Sequence, residues 1–204
     1  IALIDLNQHF NFKTTIHFYN KYGHHILSKT FKGGSFFQFS PDGNRFGLAA
    51  DNQILVLTLP EGQTETFPNG YQFAFSGDGE IIAIALKNRV KIYDQAEQRE
   101  IFTDIPLPRK VLLSKDFGIL TVIDKHHLKT YSLSTGNAIF QDKISGNLSF
   151  RDLLADDHFL YAGLHERSDR HSTGIIRKYE LFTGRKEDNT AARRELPATP
   201  ELQG

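Results

Sequence analysis

Apolar residues recur along this chain in short bursts two positions apart, the period of a β-strand whose side chains point alternately to its two faces. Phe37 with Phe39, Phe73 with Phe75, and Val111 with Leu113 each open such a burst. A turn-forming segment then follows. It reads Phe39-Ser40-Pro41-Asp42-Gly43, Phe75-Ser76-Gly77-Asp78-Gly79, more loosely Leu113-Ser114-Lys115-Asp116-Phe117-Gly118, and faintly Leu154-Ala155-Asp156-Asp157. Asp and Gly tolerate the left-handed backbone of a tight turn, so Asp42, Asp78 and Asp116 read as turn residues rather than as catalytic acids. A second apolar strand comes after each turn, at Phe46 to Ala50, Ile81 to Leu86, Ile119 to Ile123 and Phe159 to Ala162. A third is predicted at Ile54 to Leu57, Val90 to Tyr93, Leu128 to Tyr131 and Ile176 to Tyr179, with a matching Ile16 to Tyr19 near the start. Weaker, more polar fourth strands fall at about residues 24–31, 63–68, 98–104 and 137–144.

Four short antiparallel strands in a repeat of roughly 40 residues make one blade of a β-propeller. The expected fold is therefore all-β, a β-propeller of four-stranded antiparallel blades, with about five blades' worth in this chain as a small ring or an arc of a larger one. The units are placed at about 2–31, 35–68, 71–104, 109–144 and 147–184, the first holding only second to fourth strands. Residues 185–204 carry little apolar periodicity and are expected as a C-terminal tail or linker.

The Phe39 to Gly43 turn, and strands ending Tyr131-Ser132-Leu133-Ser134-Thr135-Gly136 and Tyr179-Glu180-Leu181-Phe182-Thr183-Gly184, resemble WD40-like and YVTN-type propeller repeats over about residues 35–184. No Trp-Asp dipeptide accompanies them, and no Gly-His pair stands at the start of a blade. The resemblance implies the architecture and leaves the activity open, since these folds carry scaffolds, receptors and several enzyme classes. Tyr131 to Gly136 is also similar to the end of quinoprotein-type repeats. The Trp that follows there, against which a quinone cofactor would stack, has no counterpart in this chain.

Composition narrows the chemistry. The 204 residues hold no Cys, Met or Trp, which removes disulfides, thiol nucleophiles and Cys-ligated metals. Twenty-four basic residues balance twenty-four acidic ones, so nothing in the net charge points to nucleic acid or an anionic membrane. No 18-residue apolar run marks a membrane span. Of nine histidines, the densest group is His165, Glu166, Asp169 and His171, a weak metal candidate in a link longer than its counterparts. Its spacing is not His-Glu-x-x-His and Arg167 and Arg170 interrupt it, so a solvated hairpin extension is the expected reading. His24-His25 and His126-His127 are adjacent pairs at strand edges, whose members point to opposite faces and do not chelate one ion together.

No catalytic residue and no cofactor site is assigned. The expectation is a non-catalytic binding or scaffold module that meets a protein partner, in an exported or envelope-associated, periplasmic or extracellular setting. The alternative is a propeller enzyme of lactonase or hydrolase type with polar groups at the central channel. A chain that opens on Ile1 also points to a processed protein or a piece of a larger polypeptide. Recognition is expected in the 163–174 link and the 185–204 segment, the most irregular parts of the chain.

Overall fold

The computed structural model describes residues 2–7, 13–34, 36–94, 98–103, 105, 107–114, 118–156, 158–167 and 171–195. Among them every regular element is a strand, and no helix is long and apolar enough to cross a membrane. The first sheet takes β1 (Ala2–Asn7), β2 (Lys13–Tyr19) and β3 (His25–Lys32). The second takes β4 (Phe36–Phe39), β5 (Arg45–Ala50), β6 (Gln53–Thr58) and β7 (Thr64–Pro68). The third takes β8 (Gln72–Phe75), β9 (Ile82–Ala85), β10 (Arg89–Tyr93) and β11 (Gln98–Phe102). In the fourth lie β12 (Lys110–Ser114), β13 (Ile119–Ile123), β14 (His127–Ser132) and β15 (Ala138–Lys143). The fifth has β16 (Leu148–Ala155), β17 (Phe159–Arg167), β18 (His171–Glu180) and β19 (Lys186–Glu195). Consecutive strands pair antiparallel in each sheet, and the chain divides into two compact units, 1–107 and 108–204.

In the first unit the second sheet is packed on both faces. Phe46 and Leu48 of β5 meet Ile16 and Phe18 of the first sheet, while Ala49, from the opposite face of the same strand, meets Phe73 of the third. This explains why β5 reads as an unbroken apolar run, buried from Phe46 to Ala50. Phe46, Leu48 and Ala50 face the first sheet, and the small Gly47 and Ala49 face the third. Phe18 and Phe46 meet edge to face at 5.1 Å, and Phe36 lies 5.1 Å from Phe73. Gly47 is where the third sheet comes closest, since a Cβ there would stand 2.2 Å from the Phe73 ring. In the second unit, Ile119, Ile123 and Leu128 of the fourth sheet pack on Phe150, Leu160, Ala162 and Tyr179 of the fifth.

The Asp-Gly turns share one bonding scheme. Ser40 Oγ donates to Asp42 Oδ1 (2.5 Å) and accepts from the Arg45 amide (2.8 Å). Ser76 Oγ likewise donates to Asp78 Oδ1 (2.5 Å) and accepts from the Ile81 amide (2.9 Å). Gly43 and Gly79 adopt φ of 76° and 79°, and a Cβ on Gly79 would stand 2.7 Å from Asp42 Oδ1. The third turn, with Lys115, Asp116 and Phe117, lies outside the described residues, as does Asp157. Asp156 keeps a turn role, accepting the His158 (2.9 Å) and Phe159 (2.7 Å) amides on Oδ1.

Two expectations need correction. Residues 186–195, expected in a tail, form β19 and pair with β18 from His171↔Glu195 to Tyr179↔Lys186. Alternating Arg177 and Tyr179 on β18 give this strand buried polar partners, which apolar periodicity does not register. Residues 196–204 lie outside the described residues. The 163–174 link, expected to be among the most irregular parts of the chain, is chiefly strand and takes the form of the hairpin extension, because β17 and β18 continue their pairing from Gly163↔Ile176 to Arg167↔Ser172.

The Gly47 contact yields a first prediction. Gly47→Ala should lower the urea unfolding midpoint by an amount equal to about 1–3 kcal/mol of overpacking. Adding Phe73→Leu should recover part of it. An unchanged midpoint in Gly47→Ala would mean that β5 and β8 do not approach as described.

Candidate functional site

The third strand of the third sheet alternates strictly. Val90 and Ile92 are buried on one face, while Arg89, Lys91 and Tyr93 lie on the other, half-buried. That second face looks toward β7, where Phe67 meets Tyr93 at a ring separation of 4.7 Å. Between them opens a groove of about 650 Å³, within the range of ligand-binding clefts. Lys87, Arg89 and Lys91 give it positive charge, and no acidic residue lines it among the described residues. Glu100 pairs with Lys91 (3.0 Å) and Arg89 (3.4 Å) and offsets part of that charge, while Lys87 is exposed. Apolar surface comes from Phe67, Tyr71 and Leu107.

The backbone around this groove is unusual. Asn52, Asn69 and Leu107 all line it and adopt φ of 61°, 62° and 51°. Asn tolerates that conformation; a γ-branched Leu does so at a cost, and Leu107 is also 58% exposed. The Leu107 amide donates to the Lys87 carbonyl at 2.8 Å, which ties the segment after β11 to the β9–β10 turn. Tyr71 donates its hydroxyl to the Leu86 carbonyl at 2.7 Å, and burial pushes that phenol well above its ordinary pKa, so it stays a donor.

In the second unit the prominent polar feature is an ionic network around the buried Arg177, with Asp188 and Lys186 at its exposed edge. Arg177, 8% exposed, donates to both carboxylate oxygens of Asp188 (2.5 and 2.7 Å) and to Asp142 Oδ2 (2.8 Å). Tyr179 Oη also donates to Asp142 Oδ2, and Lys186 Nζ to Asp142 Oδ1, each at 2.8 Å. Burial alone would raise the Asp142 carboxyl, but the hydrogen bonds from Lys186, Tyr179 and Arg177 outweigh it and hold it below the usual carboxylate range. Asp188 is lowered chiefly by Arg177. Through Asp142 of β15 the network fastens the fourth sheet to Arg177, Tyr179 and Lys186 of the fifth.

The residues singled out from the sequence fall as follows. His165 and Glu166 are neighbours on β17, paired with Gly174 and Thr173, and therefore point to opposite faces. His171 begins β18, and Asp169 lies outside the described residues. Among the described residues, no group of three or more His, Asp or Glu could hold a metal ion. Asp124 Oδ1 accepts the amides of His126 and His127, both at 2.7 Å, and His127 Nδ1 lies 3.0 Å from Asp124 Oδ2. The groove was not anticipated from the sequence. A signal was present in the period-two spacing of Lys87, Arg89, Lys91 and Tyr93, but the segment read only as a third strand.

No protein-family model matches the chain, and no curated protein matches it in sequence. Solved β-propeller proteins do match its structure. Hydrazine synthase from Kuenenia stuttgartiensis superposes with a TM-score of 0.68 at 15% identity, over 86% of this chain and 59% of that one. Hsv2 from Kluyveromyces lactis with its complete loop 6CD gives 0.57 at 14% identity, over 91% and 69%. The form with that loop replaced by a Gly-Ser linker gives 0.56 at 15%, over 91% and 66%. At such identities the likeness shows the fold alone. It is all-β, a β-propeller fold, with about five blades' worth in this chain.

A second prediction concerns the ionic network. Folded-state pKa values of Asp142 and Asp188 are depressed, so their contribution to stability is present above the unfolded carboxylate value of about 3.9 and is lost as pH falls through the folded values. Asp142→Asn should therefore lower the urea midpoint at pH 7 and at pH 5 alike. The gap to the parent protein should shrink below about pH 4. A gap that stays constant down to pH 2 would show that the Asp142 charge contributes nothing.

Proposed function

We propose that this chain is a propeller binding module that takes an acidic, extended segment of a partner protein in the groove between β7 and β10. The observation that supports this most directly is the stripe of Lys87, Arg89 and Lys91 beside the Phe67–Tyr93 pair. Carboxylates of the segment would face the stripe, and an apolar or aromatic side chain would lie against Phe67, Tyr93 and Leu107. Rigid aromatic anchors with flanking charge are the usual composition of a binding hot spot. The left-handed residues at the rim support the same reading, because strained backbone collects where a surface is shaped for a ligand. Among the described residues no set of general acid, base and nucleophile converges in the groove, and its lysines, arginine and aromatic rings favour binding over turnover.

A third prediction tests this reading. Short peptides with alternating Glu and Phe, labelled for fluorescence polarisation, should bind the parent protein and weaken as NaCl is raised. Lys87→Glu and Tyr93→Ala should each reduce affinity by about tenfold, equal to about 1.4 kcal/mol. Lys143→Glu, on β15 and not among the groove residues, should leave it unchanged. Equal binding by all four proteins would defeat the proposal. So would turnover of ester or lactone substrates that is abolished by a substitution in the groove.

A further inference from the structure

The first sheet carries a second polar arrangement, far in sequence from the groove residues. Ile16 and Phe18 of β2 are buried against the second sheet, so alternation puts His17 and Tyr19 on the other face. On β3, Ser28 lies opposite His17 and His25 opposite Tyr19, with a bulge between the two pairs. The result is a converging pair of imidazoles. His17 Nδ1 is 2.8 Å and His25 Nε2 is 2.7 Å from the same atom, Ser28 Oγ. Tyr19 meets the His25 ring edge to face at 5.5 Å, and the two imidazoles stand 6.4 Å apart between centroids.

A serine hydroxyl has one proton, so it donates to one of these nitrogens and accepts from the other. Such bonds on an exposed face compete with water and add little stability. What the arrangement does supply is two ring nitrogens on one exposed face that converge on a single hydroxyl. We propose that His17 and His25 form a two-histidine site for a late first-row divalent cation such as Zn²⁺, with the Ser28 hydroxyl rotating away as the ion enters. Zn–N bonds are about 2.0–2.1 Å, so the ion would sit on the solvent side of Ser28, clear of its Cβ, after the two rings turn outward about their side-chain bonds and draw closer together. Each imidazole would then carry its remaining proton on the nitrogen that faces away, a change of tautomer in one of them. Water fills the other coordination positions, making the site open and exchangeable rather than a closed structural one. Adjacent His24 takes no part, since the partner of His25 is across the strand pair, not next to it in the chain.

The test is zinc titration of the untagged chain by calorimetry and by NMR of the histidine ring protons. Zn²⁺ should shift the His17 and His25 ring signals first among the nine histidines. His17→Ala and His25→Ala should each weaken zinc binding at least about tenfold with an unchanged far-ultraviolet circular dichroism spectrum. Ser28→Ala should retain binding, because the hydroxyl is displaced and not a ligand. His24→Ala should behave as the parent protein. Zinc that shifts other histidines first, binding that survives His17→Ala, or binding abolished by Ser28→Ala would each overturn the site.

Discussion

A sheet of four short strands has two apolar faces and no interior of its own, so it persists only by burying those faces against other sheets. Everything in the first unit follows from that requirement. The second sheet is covered on one side by Ile16 and Phe18 and on the other by Phe73, and its central strand β5 is consequently apolar at every position from Phe46 to Ala50. Each large side chain withdrawn from water contributes roughly 1.5–3 kcal/mol, which makes these facing layers the dominant stabilising term. The price of such close layering is steric intolerance, visible where Gly47 leaves no room for even one methyl group beside Phe73.

Polar chemistry in the two units has different origins. In the second unit, Arg177, Asp142, Asp188, Tyr179 and Lys186 satisfy one another between sheets, and their charges are used up in that mutual contact. A partly buried network of this kind favours one register of β18 against β19, since a shift by one residue would take Asp188 away from the guanidinium and leave it only Asp142. In the first unit, by contrast, Lys87, Arg89 and Lys91 are only partly offset by Glu100 and stay open to a cleft. The distinction between a fastening and a binding surface is therefore one of unspent charge next to accessible space.

The repeat was legible because its strands and turns obey local rules. Ser40 and Ser76, with Asp42 and Asp78 two residues on, announce the same turn by spacing alone, and the structure gives both the same hydrogen bonds. The β19 strand was not legible, because Lys186, Asp188 and their neighbours are charged and gain their place from Arg177 and Asp142, distant in the chain. The groove escaped for a related reason. Lys91 and Tyr93 read as an ordinary strand until Phe67 of another sheet stands opposite Tyr93. His17 and His25 likewise share a partner only through the register of β2 on β3, which a bulge sets and no local pattern records.

The meeting of Gly79 with Asp42 has a bearing on how such chains are built and rebuilt. The turn of the third sheet is moulded on the turn of the second, so a blade is not a self-contained cassette. Moving residues 71–104 alone into another repeat protein would carry over a glycine shaped to a carboxylate that the new host lacks. The shortest segment that keeps both turns together runs from Ser40 to Ile81, out of phase with the sheets. Duplication or recombination that respects sheet boundaries would break this fit, whereas exchange within a sheet would preserve it.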